Sequence, residues 1–312
     1  MITVLGGGVA GLCAATALGE RGLPVEIVVP DDAPPPASRL AGGMLAPFCE
    51  GEAAPDSIVL RGQAAIGWWA KRFDGVQHRG TLVLAAARDQ SELDRFARAT
   101  RNHGWCDPST LEPDLSGRFS RGLFFAGEAH MDPSAAMEAL RAGLARRGVA
   151  FRQGPPQGRF LVDCRGFAAH DRLADLRAVR GEMLEVMACE VRLTRPVRLL
   201  HPRFACYIVP RGGGHYMIGA TMVESARSGG ITARAIMELL SAAYTIHPAF
   251  AEAELVTTGA GLRPAFPDNI PTIRRDGDRF HLNGVYRHGF LMAPILAEEL
   301  ADTLVQELAN AH

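Results

Sequence analysis

Residues 2–29 read Ile-Thr-Val-Leu-Gly-Gly-Gly-Val-Ala-Gly-Leu-Cys-Ala-Ala-Thr-Ala-Leu-Gly-Glu-Arg-Gly-Leu-Pro-Val-Glu-Ile-Val-Val. The apolar run at 2–5 predicts a buried strand, 12–21 a helix and 25–29 a second strand. Between the first strand and the helix stands G-x-G-x-x-G, as Gly6, Gly8 and Gly11, with Val9 and Ala10 completing the turn. In that setting the three glycines have separate tasks: the tight turn, the approach of a pyrophosphate to backbone, and close helix–strand packing. The helix N-terminus then offers N–H groups and a positive dipole end to phosphates. A dinucleotide is therefore expected here, and the position at the start of the chain leans toward FAD over NAD. An acidic residue usually closes the second strand to bind ribose hydroxyls. Here Val29 holds that place, with Pro30, Asp31 and Asp32 next and Glu26 inside the strand. The ribose contact stays open between Asp31, Asp32 and a backbone group.

Composition narrows what such a chain does. It has 312 residues, 47% hydrophobic and 21% charged, enough for about two globular domains. Lys+Arg is 33 and Asp+Glu is 34, a net charge of −1, which argues against nucleic acid or an acidic membrane as partner. Lys71 is the only lysine, so a Schiff base or P-loop is disfavoured and anionic groups fall to Arg. Six cysteines without C-x-x-C and ten histidines without H-E-x-x-H predict neither a disulfide frame nor a metal site. No apolar stretch of roughly twenty residues is present, and no basic segment precedes the first strand. A cytoplasmic protein without membrane contact is expected.

The rest alternates sheet and helix signals. Helices are expected at 59–71, at 89–103 with Ser91 as N-cap, from Asp132-Pro133 to 147, at 232–243, and from Pro294 to the end. Strands are expected at 80–85, 122–126, 160–164, 181–187 and 191–199, and a hairpin at 206–210 and 215–220. The expected fold class is α/β with α+β. A Rossmann-type FAD-binding domain (1–48, 131–178, 257–312) interleaves with an antiparallel-sheet substrate domain (49–130, 179–256).

Seven blocks occur in order: GGGVAGL (6–12), AGGMLAPF (41–48), RGEMLEV (180–186), CYIVPR (206–211), GATM (219–222), GAGLRPAFPDNIP (259–271) and YRHGFLMAP (286–294). Together they resemble the D-amino-acid oxidase-like flavoproteins, and within them most closely the glycine oxidases of thiamine biosynthesis. The resemblance covers nearly the whole chain. The stretch at 151–164 is shorter than in that family, and no adenine contact is carried over to it.

The resemblance implies non-covalent FAD. It also implies oxidative deamination of a small amino acid, glycine foremost. Hydride passes to flavin, giving an imine or 2-oxo acid, ammonia and, with molecular oxygen, hydrogen peroxide. The product would feed thiazole synthesis, in a homo-oligomer. In similar enzymes the G-L-R-P arginine, here Arg263, grips the substrate carboxylate as a bidentate pair. The alternative for Arg263 is a structural bond to an acid such as Asp268. Tyr207 matches a tyrosine that assists the grip, against plain packing on the sheet. Met222 matches a pocket-lining side chain, against core filling. Arg287 matches a second arginine near flavin and substrate, and His288 a positioned polar group with no proton-transfer role, expected among the cofactor contacts. No side chain is obligatory as acid or base. Ser38, Gly42, Gly43 and Met44 in the second glycine segment are expected against the flavin. Gly289, Phe290 and Leu291 are expected to bring a helix N-terminus to its pyrimidine ring, where the dipole favours negative charge. Open rivals are a D-amino-acid or sarcosine dehydrogenase with a non-oxygen acceptor, a non-catalytic FAD-binding subunit, and an NAD(P)-dependent reductase.

Overall fold

The computed structural model describes residues 1–31, 33–201 and 206–310. Its first unit is the expected one: strand Ile2–Leu5, helix Val9–Glu20 and strand Val25–Val29. The strands pair in parallel, Ile2 against Val25 and Leu5 against Val28. The helix starts at Val9, ahead of the expected 12, because Gly8 is extended and the turn is complete there. Gly6 has φ +102°, and a Cβ on it would lie 2.7 Å from the Cys164 carbonyl oxygen. A Cβ on Gly11 would lie 2.0 Å from the Gly6 carbonyl oxygen, so only glycine brings this helix onto the strand. Glu26 accepts from Thr3 Oγ1 at 2.6 Å and from Arg152 Nε at 2.7 Å, a structural role inside the sheet. Asp32 lies outside the described residues.

Six strands form this sheet, in the order Thr272–Asp276, Arg279–Asn283, Phe160–Asp163, Ile2–Leu5, Val25–Val29, Ala150–Gln153. All neighbours are parallel except the first two, joined as a hairpin. The apolar sequence of its central strand fits burial on both faces. Residues 154–159 join Ala150–Gln153 directly to Phe160–Asp163, in keeping with the short stretch noted there.

Nine strands form the second sheet. It is antiparallel, as expected, apart from Val197–Leu200, which pairs in parallel with Thr81–Ala85. The strand Glu254–Ala265 pairs with Arg177–Met187 along its length, Arg263 opposite Val179. The expected boundaries at 178/179 and 257 therefore move. Both cut strands of this sheet, and the chain re-enters it at Arg177 and leaves it after Ala265. The boundary that assigns 49–130 wholly to the substrate domain is corrected too. The expected helix 59–71 is two helices, Asp56–Gly62 and Ala64–Ala70, and Ile58, Ala65, Trp68 and Trp69 are buried in the core of the first sheet's domain. Ser91 is not a cap. The helix is Gln90–Ala99 with Asp89 at its N-cap, and it ends where Thr100 turns extended.

The last helix runs Gly289–Asn310, with Pro294 inside and not at its start. Proline leaves the carbonyl four residues back without its helical donor. That carbonyl, of Phe290, accepts instead from the Trp69 indole N–H at 2.9 Å. Trp68 Nε1 donates to Glu298 on the same helix at 2.6 Å. The two tryptophans thus hold this helix beside Val9–Glu20 and carry the loop before it, 284–288, to the junction of the two sheets.

Candidate active site

A cavity opens at that junction. The second glycine segment, the sheet strands and the start of the last helix all line it. Tyr207, Met222, Arg263 and Arg287 all face it. So do Val9, Ser38, Gly42, Gly43, Met44, Gly289, Phe290 and Leu291. Gly6, Gly8, Ala10, Gly11 and His288 do not line it; the first four form the turn and helix start behind it, and the His288 ring is buried.

Arg263 stands on Glu254–Ala265 with its guanidinium lying across Gly181 of the partner strand. A Cβ on Gly181 would sit 2.2 Å from Arg263 Nη2. Arg263 Nη1 donates to the Thr221 carbonyl at 2.9 Å. Thr221 is itself fixed, its hydroxyl donating to Glu182 Oε2 at 2.9 Å and accepting from the Glu182 N–H at 3.0 Å. Among the described residues Arg263 makes no ion pair. Asp268, the alternative partner, accepts from Ile270 N–H in its own turn. A cation held by a carbonyl, with its other donors unengaged, is ready for an anionic ligand.

Tyr207 lies beside it, on the hairpin strand Cys206–Gly212. Its ring covers Gly42, where a Cβ would be 2.7 Å from Cε2. Burial pushes the phenol up from its ordinary value, so it remains a hydroxyl donor at neutral pH. No protein partner for that hydroxyl is present among the described residues. Gly43 has φ +70° and would place a Cβ 2.1 Å from the Met131 carbonyl. The sequence reading has these two glycines admit backbone to a flavin; what they make room for in the protein is Tyr207 and Met131. Arg211 ties the same loop down, donating to Met131 O at 2.8 Å and Ala41 O at 3.1 Å.

Met222 is 49% exposed, which places it on the rim and not in the core. Its sulfur accepts from the Tyr286 hydroxyl at 3.5 Å. Arg287 has a partner that sequence reasoning missed. Its Nε donates to Glu50 Oε2 at 2.7 Å, and Nη2 is as near but poorly aligned for a bond. Arg287 is therefore neutralised, while it still lines the cavity as expected of an arginine near flavin and substrate. His288 Nδ1 lies 3.3 Å from the same oxygen, and burial holds this imidazole below its ordinary value and neutral. Its role is against Glu50, not against the cavity. Burial alone would raise the Glu50 carboxyl, but the Arg287 charge first, and then Arg198, hold it below the usual value and charged. Arg198, also lining the cavity, pairs with Glu52 at 2.8 Å. Gly181 and Glu50 were within sight in sequence: one sits inside the RGEM block, the other two residues after AGGMLAPF.

The dinucleotide signal meets the same geometry. The helix Val9–Glu20 has no side-chain cap and no acid in its first turn. Val9 N–H donates to Ser38 Oγ at 3.1 Å, joining the first glycine turn to the second glycine segment. A Cβ on Gly8 would meet Pro36 Cβ and Ser38 Oγ at 3.3 Å, so a side chain there would crowd the second glycine segment. These residues fit a pyrophosphate at the helix start, with the ring end of a dinucleotide reaching the cavity.

Comparison with known proteins agrees. A sequence profile of the FAD dependent oxidoreductase family, DAO, matches residues 1–303. A Rhizobium etli protein named "Putative thiamine biosynthesis oxidoreductase ThiO" is 51% identical over 317 residues, spanning 98% of this chain and 97% of that one. The glycine oxidase of Pseudomonas aeruginosa is 26% identical over 352 residues, spanning 97% and 94%. Among solved structures, glycine oxidase from Geobacillus kaustophilus superposes with a TM-score of 0.81 at 21% identity, over 98% of this chain and 94% of that one. Iminodiacetate oxidase from Chelativorans sp. BNC1 superposes with a TM-score of 0.82 at 20% identity, over 98% and 95%. At those identities the superpositions speak for the fold.

Proposed function

Because the chain belongs to the DAO family of FAD-dependent oxidoreductases, we propose that this cavity oxidises a small α-amino acid, glycine foremost, in the supply of thiamine thiazole. The net reaction turns glycine, water and oxygen into glyoxylate, ammonia and hydrogen peroxide. One observation carries the reading: Arg263 and the Tyr207 hydroxyl, both without protein partners for their remaining donors, face the cavity that the flavin-type glycine segment lines.

FAD, when bound, supplies the two-electron acceptor for the hydride on the α-carbon. Everything else is positioning by the chain. Arg263 and Tyr207 take the carboxylate and fix which face of the α-carbon is turned to the ring. Thr221, held by Glu182, keeps the guanidinium in place. Gly6, Gly8, Val9, Ala10 and Gly11 hold the pyrophosphate, and Ser38 couples that turn to Gly42, Gly43 and Met44. Gly289, Phe290 and Leu291 bring a helix start to the ring end, where its dipole favours added negative charge. The small substrate fits a pocket whose walls are Tyr207, Met222 and the neutralised Arg287. Among the described residues no helix is long and apolar enough to cross a membrane. Oxygen as acceptor, a cytoplasmic setting and a homo-oligomer complete the proposal.

The visible spectrum of the purified protein under anaerobic conditions tests it. Flavin absorption that bleaches on adding glycine supports the reading. Flavin bands that persist with glycine, sarcosine and small D-amino acids would refute it. A colourless protein that stays colourless after adding FAD would refute the cofactor site.

A further inference from the structure

The contacts of Glu50 are one-sided. Arg287 Nε and Nη2 both approach Oε2 at 2.7 Å, and His288 Nδ1 approaches Oε2 at 3.3 Å. Oε1 has no partner among the described residues, and Glu50 lines the cavity. The cations around the cavity divide in the same way. Arg287 is answered by Glu50 and Arg198 by Glu52, while Arg263 is answered by no acid. Tyr207 lines the same cavity, near enough to feel both the Arg263 and the Glu50 charges. The cavity thus holds one uncompensated cation and, facing the same space, one uncommitted carboxylate oxygen. A ligand with separated anionic and cationic ends answers both at once, and a partly desolvated ion pair is worth more there than in water.

We infer that Glu50 Oε1 receives the ammonium group of the substrate while Arg263 receives its carboxylate, so that the site reads α-amino acids against other small carboxylic acids. This rests on the proposed assignment of the carboxylate to Arg263 and Tyr207. Arg287 is then the positioning group. It holds Oε2 and keeps the carboxylate ionised, with the His288 ring close beside it, so Oε1 is presented in one orientation. The other ionisable groups around Glu50 are Arg198 from Val197–Leu200, buried Glu128 and the Cys49 thiol, and Tyr207 from the hairpin. A simple carboxylate such as propionate, with methyl in place of ammonium, engages one end only and leaves Oε1 desolvated and unanswered.

The experiment uses FAD-loaded enzyme, native and with Glu50→Gln and Glu50→Asp. Glycine KM and kcat are measured together with the inhibition constant of propionate. Native enzyme is expected to hold propionate at least tenfold more weakly than glycine. Glu50→Gln should raise the glycine KM at least tenfold and leave propionate within threefold, with Glu50→Asp in between. Arg263→Ala should weaken both ligands. Propionate held as tightly as glycine by the native enzyme overturns the inference without any variant, which covers a Glu50→Gln protein that fails to keep FAD. Equal effects of Glu50→Gln on both ligands, or none on either, overturn it as well. If glycine is not turned over at all, the proposed activity falls; glycine and propionate binding, read from the shift in flavin absorption, then decide this inference separately.

Discussion

Changing Gly181 to alanine should damage substrate binding while sparing the fold. Gly181 sits opposite Gly261 in the long strand pair, extended, so alanine suits its backbone. The three atoms nearest the added Cβ all belong to the Arg263 guanidinium, at 2.2 Å for Nη2, 2.3 Å for Cζ and 2.6 Å for Nη1. The obstacle is the far end of a flexible side chain, which swings aside at little cost. Replacing glycine in a strand also removes unfolded-state entropy worth about 0.4–1 kcal/mol. Against that stands the lost bond from Arg263 Nη1 to Thr221 O, about 1–3 kcal/mol for a charged donor. Net stability should therefore fall by no more than about 2.6 kcal/mol, read from the urea midpoint at constant slope. The functional effect is larger. A displaced guanidinium loses a charge-assisted grip of about 1.5–3 kcal/mol, which is roughly tenfold to a hundredfold in glycine KM. Retained flavin absorption would confirm that the cofactor site is untouched. A glycine KM within twofold of native, in a variant whose flavin and midpoint are also native, would refute the claim that Gly181 sets the pose of Arg263.

Gly8→Val should abolish FAD retention, because the space above Gly8 is already closed by Pro36 and Ser38 at 3.3 Å; a protein that purifies fully yellow would contradict this. Trp69→Phe should cost about 1–3 kcal/mol by stranding the Phe290 carbonyl, and adding Pro294→Ala should recover part of it, since alanine at that position supplies the missing helical N–H; chemical denaturation of the four proteins closes the cycle. Burial pushes the Glu128 carboxyl from 4.5 up to about 7, so the folded protein binds that proton more tightly than the unfolded chain. This group's contribution to stability therefore falls as pH rises from about 4.5 to 7, and Glu128→Gln should be relatively more stable than native above pH 7 than at pH 5, in denaturant titrations at both pH values.

The nucleotide unit was legible because its constraints are local. The closest approach, Gly11 to the Gly6 carbonyl, is made within five residues, and a turn that tight admits little but glycine. Ranges failed where the deciding partner is distant. Pro294 reads as a helix start from its neighbours alone. It lies inside the helix because Trp69, more than two hundred residues earlier, supplies a donor for the carbonyl that proline strands. The ion pair of Arg287 escapes the sequence for the same reason. Glu50, its neutralising partner, is separated from it by 237 residues, and charge balance across such a distance has no periodicity to betray it. Arg263 shows the converse. The nearby Asp268 made a structural pair plausible in sequence, yet that carboxylate is used by its own turn and leaves the arginine without an acid. The site thus depends on which ions are already answered. Of three arginines lining one cavity, two have carboxylates from the segment 50–52 and one does not. That imbalance, and not the number of arginines, is what directs a single carboxylate to Arg263.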